Sequence, residues 1–292
     1  MPEKNIVGFT DKQLKLILNY CRATVDNPRI PYNKFHSKYS SYSRKQSTAG
    51  LINKAYEKTV ITGPFLYCSN NLEVVLLDDI KNPLRYWREH KDNPDIPFSM
   101  ALQGDWDYIA FKKGANTLEY TETPIPFYPA LYNLEDIYFE EKGELERDNY
   151  PHGWDEMDWK TYDAMGVPRK KSYQAVGEEL GVSAFAVREH YLKILNQVKT
   201  LVCFFPIGFY NYQYSIVTFN TKYETGLRKA LKKIDRTVYL YKSEGRIILH
   251  MQVDPGPAAI NKVTAHFKEL EENGIIHNFR ASIPMEWKNI YV

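Results

Sequence analysis

Two runs of apolar residues at helical spacing stand side by side in the second half of the chain. Tyr173, Val176 and Leu180 share one helical face over residues 172–180. Val187, Tyr191, Ile194 and Leu195 do so over 183–195. Gly181 interrupts the pattern with a residue free to take positive φ, and Ser183 has the hydroxyl to cap the second helix. A short helix, a glycine turn and a longer helix are the helix-turn-helix plan. Residues 158–165 predict a leading helix stopped by Gly166 and Pro168, and Ala175 is expected at the crowded crossing of the two helices.

Beyond this tract the period changes. Residues 212–219 have the aromatic and β-branched bias of a strand. An amphipathic helix follows over 224–234, with Leu227, Leu231 and Ile234 opposite Arg228, Lys229, Lys232 and Lys233. Residues 238–242 and 246–253 read as a hairpin turning at Ser243, Glu244 and Gly245. A helix over 257–273, stopped by Gly274, and a strand over 277–283 complete a β-α-β-β-α-β order, the ferredoxin-like plan.

The first half repeats the pattern with little residue identity. Helices are predicted over 11–21, 32–39 and 43–58, then a strand over 65–77, a helix over 83–90, strands over 99–103 and 106–112, and a short helical stretch near Thr117. Between the halves, residues 134–157 are acidic, hold Gly143, Pro151 and Gly153, and lack an apolar period, which reads as a linker. The expected class is α+β: a helix-turn-helix over 1–62, a ferredoxin-like domain over 63–133, the linker, a second helix-turn-helix over 158–200 and a second ferredoxin-like domain over 201–292.

Composition narrows the function classes. With 38 basic and 36 acidic side chains the net charge is only +2, so bulk charge does not hold a nucleic acid, although local basic patches still can. Cys21, Cys68 and Cys203 are odd in number and lack a CxxC spacing, so buried reduced thiols are expected rather than disulfides or a zinc site. No signal-like or membrane-length apolar run is present, and the expected setting is soluble and cytoplasmic, without a membrane partner. The seven histidines show no HxH, HxxxH or HExxH spacing, and no glycine-rich phosphate loop occurs; no metal and no cofactor are expected.

Two helix-turn-helix segments, each followed by β-α-β-β-α-β, together with Gly104-Asp105-Trp106-Asp107 between two strands, resemble the Lrp/AsnC family of feast/famine regulators. The four-residue stretch is similar to that family's Gly-x-aromatic-Asp signature. The resemblance implies a sequence-specific regulator of transcription, with double-stranded DNA as partner, a small-molecule effector near Gly104, Asp105, Trp106 and Asp107, and assembly into a homo-oligomer. Three departures stand out. Both units lie in one chain, as though a dimer had been fused, and the second half has Ser243-Glu244-Gly245-Arg246 where the signature belongs. The first helix-turn-helix also carries an insertion, ATVDNPRIPYN.

Charge distribution adds to that expectation. In the first unit Arg44, Lys45, Gln46, Ser47 and Lys54 lie on or beside the third helix, where Arg44 and Gln46 have the donors to read base edges. In the second, Lys170 and Lys171 precede the helices and Ser183, Arg188 and His190 lie on the last. An alternative follows from the same resemblance: relatives that decarboxylate siroheme share this architecture, sometimes as a fusion of two units. There His and Arg side chains would hold tetrapyrrole carboxylates, with a His or Tyr serving the proton chemistry, and His250, His266, His277 and Arg280 are the candidates. A protein-binding role is the third reading, from 23 tyrosines and 14 phenylalanines.

Overall fold

The structure is a computed structural model describing residues 5–256 and 258–289. Along the first half run α1 (Asp11–Asp26), α2 (Tyr32–Tyr39), α3 (Lys45–Glu57), β1 (Ile61–Tyr67), β2 (Leu72–Leu77), α4 (Pro83–His90), β3 (Phe98–Gly104), β4 (Tyr108–Lys113) and β5 (Leu118–Glu122). Then come α5 (Glu156–Met165), α6 (Tyr173–Leu180), α7 (Ala184–Leu195), β6 (Lys199–Phe204), β7 (Gln213–Asn220), α8 (Glu224–Leu231), β8 (Tyr239–Ser243), β9 (Arg246–Val253), α9 (Ala259–Glu272) and β10 (His277–Asn289). They form two compact units, each built from two stretches of chain: one up to Cys68 with Asn149–Phe209, the other Ser69–Asp148 with Tyr210 onward.

The first unit holds both helix-turn-helix segments. In the second segment the Ser172 and Ser183 hydroxyls accept from the Ala175 and Ala186 amides, each 3.1 Å away, and Gly181 takes φ +71°. The crowded crossing falls not on Ala175, which is exposed, but on buried Gly177, where an added Cβ would meet the Val182 carbonyl at 2.6 Å. Val176, Val187, Tyr191 and Ile194 pack with Met165 and Tyr162 beneath the helices. A strand pair absent from the sequence reading, β1 with β6, adds an antiparallel ribbon. The stretch predicted as one strand over 65–77 is in fact β1 and β2, separated at Asn71 with φ +59°. All three cysteines are buried and in no disulfide. No helix among the described residues is long and apolar enough to cross a membrane.

The second unit is an eight-stranded antiparallel sheet in the order β2-β4-β3-β10-β7-β9-β8-β5. Its C-terminal half has the full β-α-β-β-α-β order. In the N-terminal half the helical stretch expected near Thr117 is a four-residue turn, Gly114 to Thr117, with Asn116 at φ +48°. The halves join through β3–β10 and β5–β8. The sheet curls until its edges meet, the Val74 amide donating to Thr117 Oγ1 at 3.0 Å just before β5. Alternation then sorts the strands. Val217, Phe219, Leu249, Met251 and Leu240 pack outward on Leu227, Leu231, Val263 and Phe267 of α8 and α9, while Ala101, Tyr108 and Ala110 pack on Trp87 of α4. The opposite rows face one another inside the curl, where the Phe111 and Tyr241 rings meet at 4.8 Å.

Residues 134–148, expected to begin an acidic linker, belong to this second unit. Leu134, Ile137, Phe139 and Leu145 are buried in the core under α8 and α9. Their acidic neighbours face solvent or pair outward, as Glu141 does with Lys229. Charge masked the apolar positions.

Candidate functional site

Strand β9 turns Arg246, Ile248, His250 and Gln252 to the inner face. His250 is 7% exposed and Gln252 fully buried. His250 Nε2 and both amide atoms of Gln252 have no hydrogen-bond partner among the described groups. Such orphans are expensive in a folded interior and mark a place where another polar molecule is expected. Burial holds the imidazole neutral, pushing its pKa down to about 4.

Aromatic rings frame this pair. Tyr239, opposite His250 on β8, stacks on the imidazole with centroids 5.3 Å apart and planes within 17°. Tyr214 of β7, opposite Gln252, lies 5.8 Å from the imidazole and meets Trp287 of β10 at 5.2 Å. Tyr214 and Tyr239 are half-buried and Trp287 is exposed, so the polar pair lies beneath a rim that solvent reaches. Burial also raises Tyr214 to about 12, leaving its phenol protonated and able to donate. Sequence reasoning named His250 but missed Gln252, Tyr214, Tyr239 and Trp287. The legible signal was a His and a Gln two residues apart on a strand otherwise apolar enough to be central.

The other three candidates of the tetrapyrrole reading do not join this cluster. His266 on α9 is bonded through Nε2 to the Ile137 carbonyl at 2.7 Å. His277 is exposed at the start of β10. Arg280 pairs with Asp78 and lies over the Trp106 ring at 4.3 Å, with Arg246 over the same ring at 5.2 Å.

The Gly104–Asp107 turn is committed to joining the two halves. Gly104 has φ +143°, and a Cβ there would meet the Ala281 carbonyl at 2.5 Å and Ser282 Cα at 2.8 Å. Asp105 accepts from the Ala281 amide, Asp107 from the Ile80 amide, both at 2.8 Å. Trp106 is buried, its indole donating to Thr218 Oγ1 at 3.0 Å and its amide to Ser282 Oγ at 2.8 Å.

The residues expected to contact DNA fare differently in the two segments. Arg44, Lys45, Gln46 and Ser47 are exposed at the start of α3, and Lys54 reaches back over the Phe9 ring at 4.9 Å. In the second segment several of the polar groups have partners on the protein itself, most of them at its surface. Ser183 is spent as a cap, Lys171 pairs with Glu179, and Arg188 pairs with Glu189 at 2.7 Å. His190 Nδ1 and Lys193 both bond the buried carboxylate of Asp158, the imidazole at 2.7 Å. Lys170 is exposed, and the outer face of α7 presents Phe185, Glu189 and Leu192 beside Arg188 rather than a continuous basic stripe. Asp155, Asp158 and His190 come within 4.8 Å of one another, the spacing of metal ligands. The Asp158 oxygens are already filled by His190, Lys193 and the Asp155 amide, so the cluster is an ion-pair network.

The architecture as a whole, tandem helix-turn-helix segments on a fused ferredoxin-like pair, is an α+β class shared with solved enzymes of tetrapyrrole chemistry. Two such structures are siroheme decarboxylase NirDL. The one in co-complex with an iron-uroporphyrin III analogue aligns over 96% of this chain and 93% of its own at a TM-score of 0.55 and 8% identity. The other aligns over 96% and 94% at 0.50 and 8%. No protein-family model and no curated protein matches the chain. These neighbours overturn the DNA-binding regulator expected from the sequence. The fold that suggested a regulator is shared with a decarboxylase, and the second helix-turn-helix has its charged groups turned on each other.

Proposed function

We propose that this protein binds a carboxylated tetrapyrrole of the siroheme type and decarboxylates it at the His250 site. Kinship with the Lrp/AsnC architecture belongs to the same proposal. The observation that carries it is the unpartnered His250 and Gln252 pair beneath an aromatic rim, in a fold shared with a siroheme decarboxylase.

The residues suit the chemistry. Tyr214, Tyr239 and Trp287 offer ring faces to a flat macrocycle. Gln252 has one donor and one acceptor set to hold a carboxyl group. The neutral His250 gains a proton once a carboxylate stands beside it, because the opposite charge reverses the effect of burial. Loss of CO2 breaks the bond between the side-chain carbon and the carboxyl carbon and leaves the electron pair on the former. His250 returns its proton there, so an acetate becomes a methyl group and the charge balances.

The test is an absorption titration with siroheme, followed by mass analysis of the pigment for CO2 loss. Binding takes up a proton, which calorimetry in two buffers of different ionisation heat reads, and weakens as pH rises. Replacing His250 with Gln abolishes turnover. A protein that leaves the siroheme spectrum unchanged disproves the proposal.

A further inference from the structure

The two halves of the sheet share one strand plan, and their strands correspond row by row. In the C-terminal half β9 lies between β7 and β8, and in the N-terminal half β4 lies between β2 and β3. Matching strand ends and faces sets the row Val217, Leu249, Leu240 against Val75, Ala110, Ser99, with the outward rows on their own helices in both halves. The next row inward is Ile216, His250, Tyr239 in the C-terminal half. Its counterpart is Val74, Phe111, Phe98.

At the position of the stacked imidazole and phenol the first half therefore has two phenylalanines, edge to face at 5.4 Å and 73°. Phe111 is buried, leaves no polar atom unsatisfied, and fills the space with a ring that also meets Tyr241. The counterpart of Gln252 is Lys113, exposed at the strand end, and that of Tyr214 is Leu72.

We infer that the chain carries one tetrapyrrole site, formed by the His250 row, and that the corresponding place in the N-terminal half is closed by Phe98 and Phe111. This rests on the tetrapyrrole reading above and assigns the number and place of its sites. Two like halves would otherwise present two sites, as two like subunits do.

The test counts ligands, with iron-uroporphyrin III as probe, by absorption titration of the full chain at known concentration. The expected result is one equivalent per chain. Tyr239→Phe with His250→Phe, which copies the N-terminal row, weakens binding by roughly tenfold or more. Phe98→Leu with Phe111→Leu leaves both the affinity and the count unchanged. Circular dichroism confirms that each variant is folded, and His250→Gln gives a second, more conservative loss at the same position. Two equivalents per chain, or one equivalent that persists undiminished in both His250 variants, overturns the single-site assignment while tetrapyrrole binding stands. No binding by the unmodified chain overturns the tetrapyrrole reading and the site count with it.

Discussion

An imidazole enclosed by strands without a hydrogen-bond partner works against the fold that holds it. Removing such an orphan recovers roughly 1–3 kcal/mol of desolvation cost, so His250→Phe stabilises the protein in denaturant titrations near neutral pH. The pH dependence has a definite sign. The unfolded chain takes up the imidazole proton near 6.5, whereas the folded one resists until about 4. Stability from this residue is thus complete above about 6.5 and falls as pH drops through that window, by up to about 3 kcal/mol. The difference between wild type and His250→Phe, measured as unfolding free energy at successive pH values, grows in the same direction. A pH-independent difference would show that His250 is not held neutral. On the proposed reading, stability at this position is traded for chemistry, as is common at functional sites.

At the level of elements, the helix-turn-helix of the second half was legible because its signals are local. Ser172, Gly181 and Ser183 act within a few residues of themselves, and the apolar spacing repeats over a single turn. The C-terminal ferredoxin-like half was legible for the same reason, since its alternation and its Ser243-Glu244-Gly245 turn are short-range. What escaped was set by distant partners. Strand β6 forms because β1 lies antiparallel to it, more than a hundred residues earlier, and β1 ends at Tyr67, just before the chain leaves one unit for the other after Cys68. Gly104 is the clearest case of a residue whose structural role was not legible. Its motif suggested an effector site; the structure shows its backbone pressed against β10, so Gly104→Ala costs roughly 3 kcal/mol or more. A change within about 0.5 kcal/mol, the ordinary range for surface positions, would contradict that close approach.

For the molecule as a whole, composition and order yielded the α+β class and the tandem plan but misjudged the role. Basic residues were visible in sequence; their pairing with the carboxylates of Asp158, Glu179 and Glu189 was not. The polar pair inside the sheet was equally hidden, because Gln252 acquires meaning only when β9 is known to be central. The interleaving of segments has a direct consequence for dissection. A fragment of residues 149–292 lacks β3 and β5, which flank β10 and β8, and lacks the buried side chains of 134–145. Circular dichroism and thermal unfolding of that fragment are expected to show no cooperative transition. A cooperative one would mean that the C-terminal half stands without its partner strands.

The two like halves, paired through β3–β10 and β5–β8, lie on one covalent chain. In an assembly of identical subunits every substitution is inherited by both sides, so a change that suits one surface is imposed on the other. Once the two copies are encoded in tandem that obligation ends. One copy can drift toward filling and holding the pair together while the other keeps an energetically poor but useful interior, and selection acts on each separately.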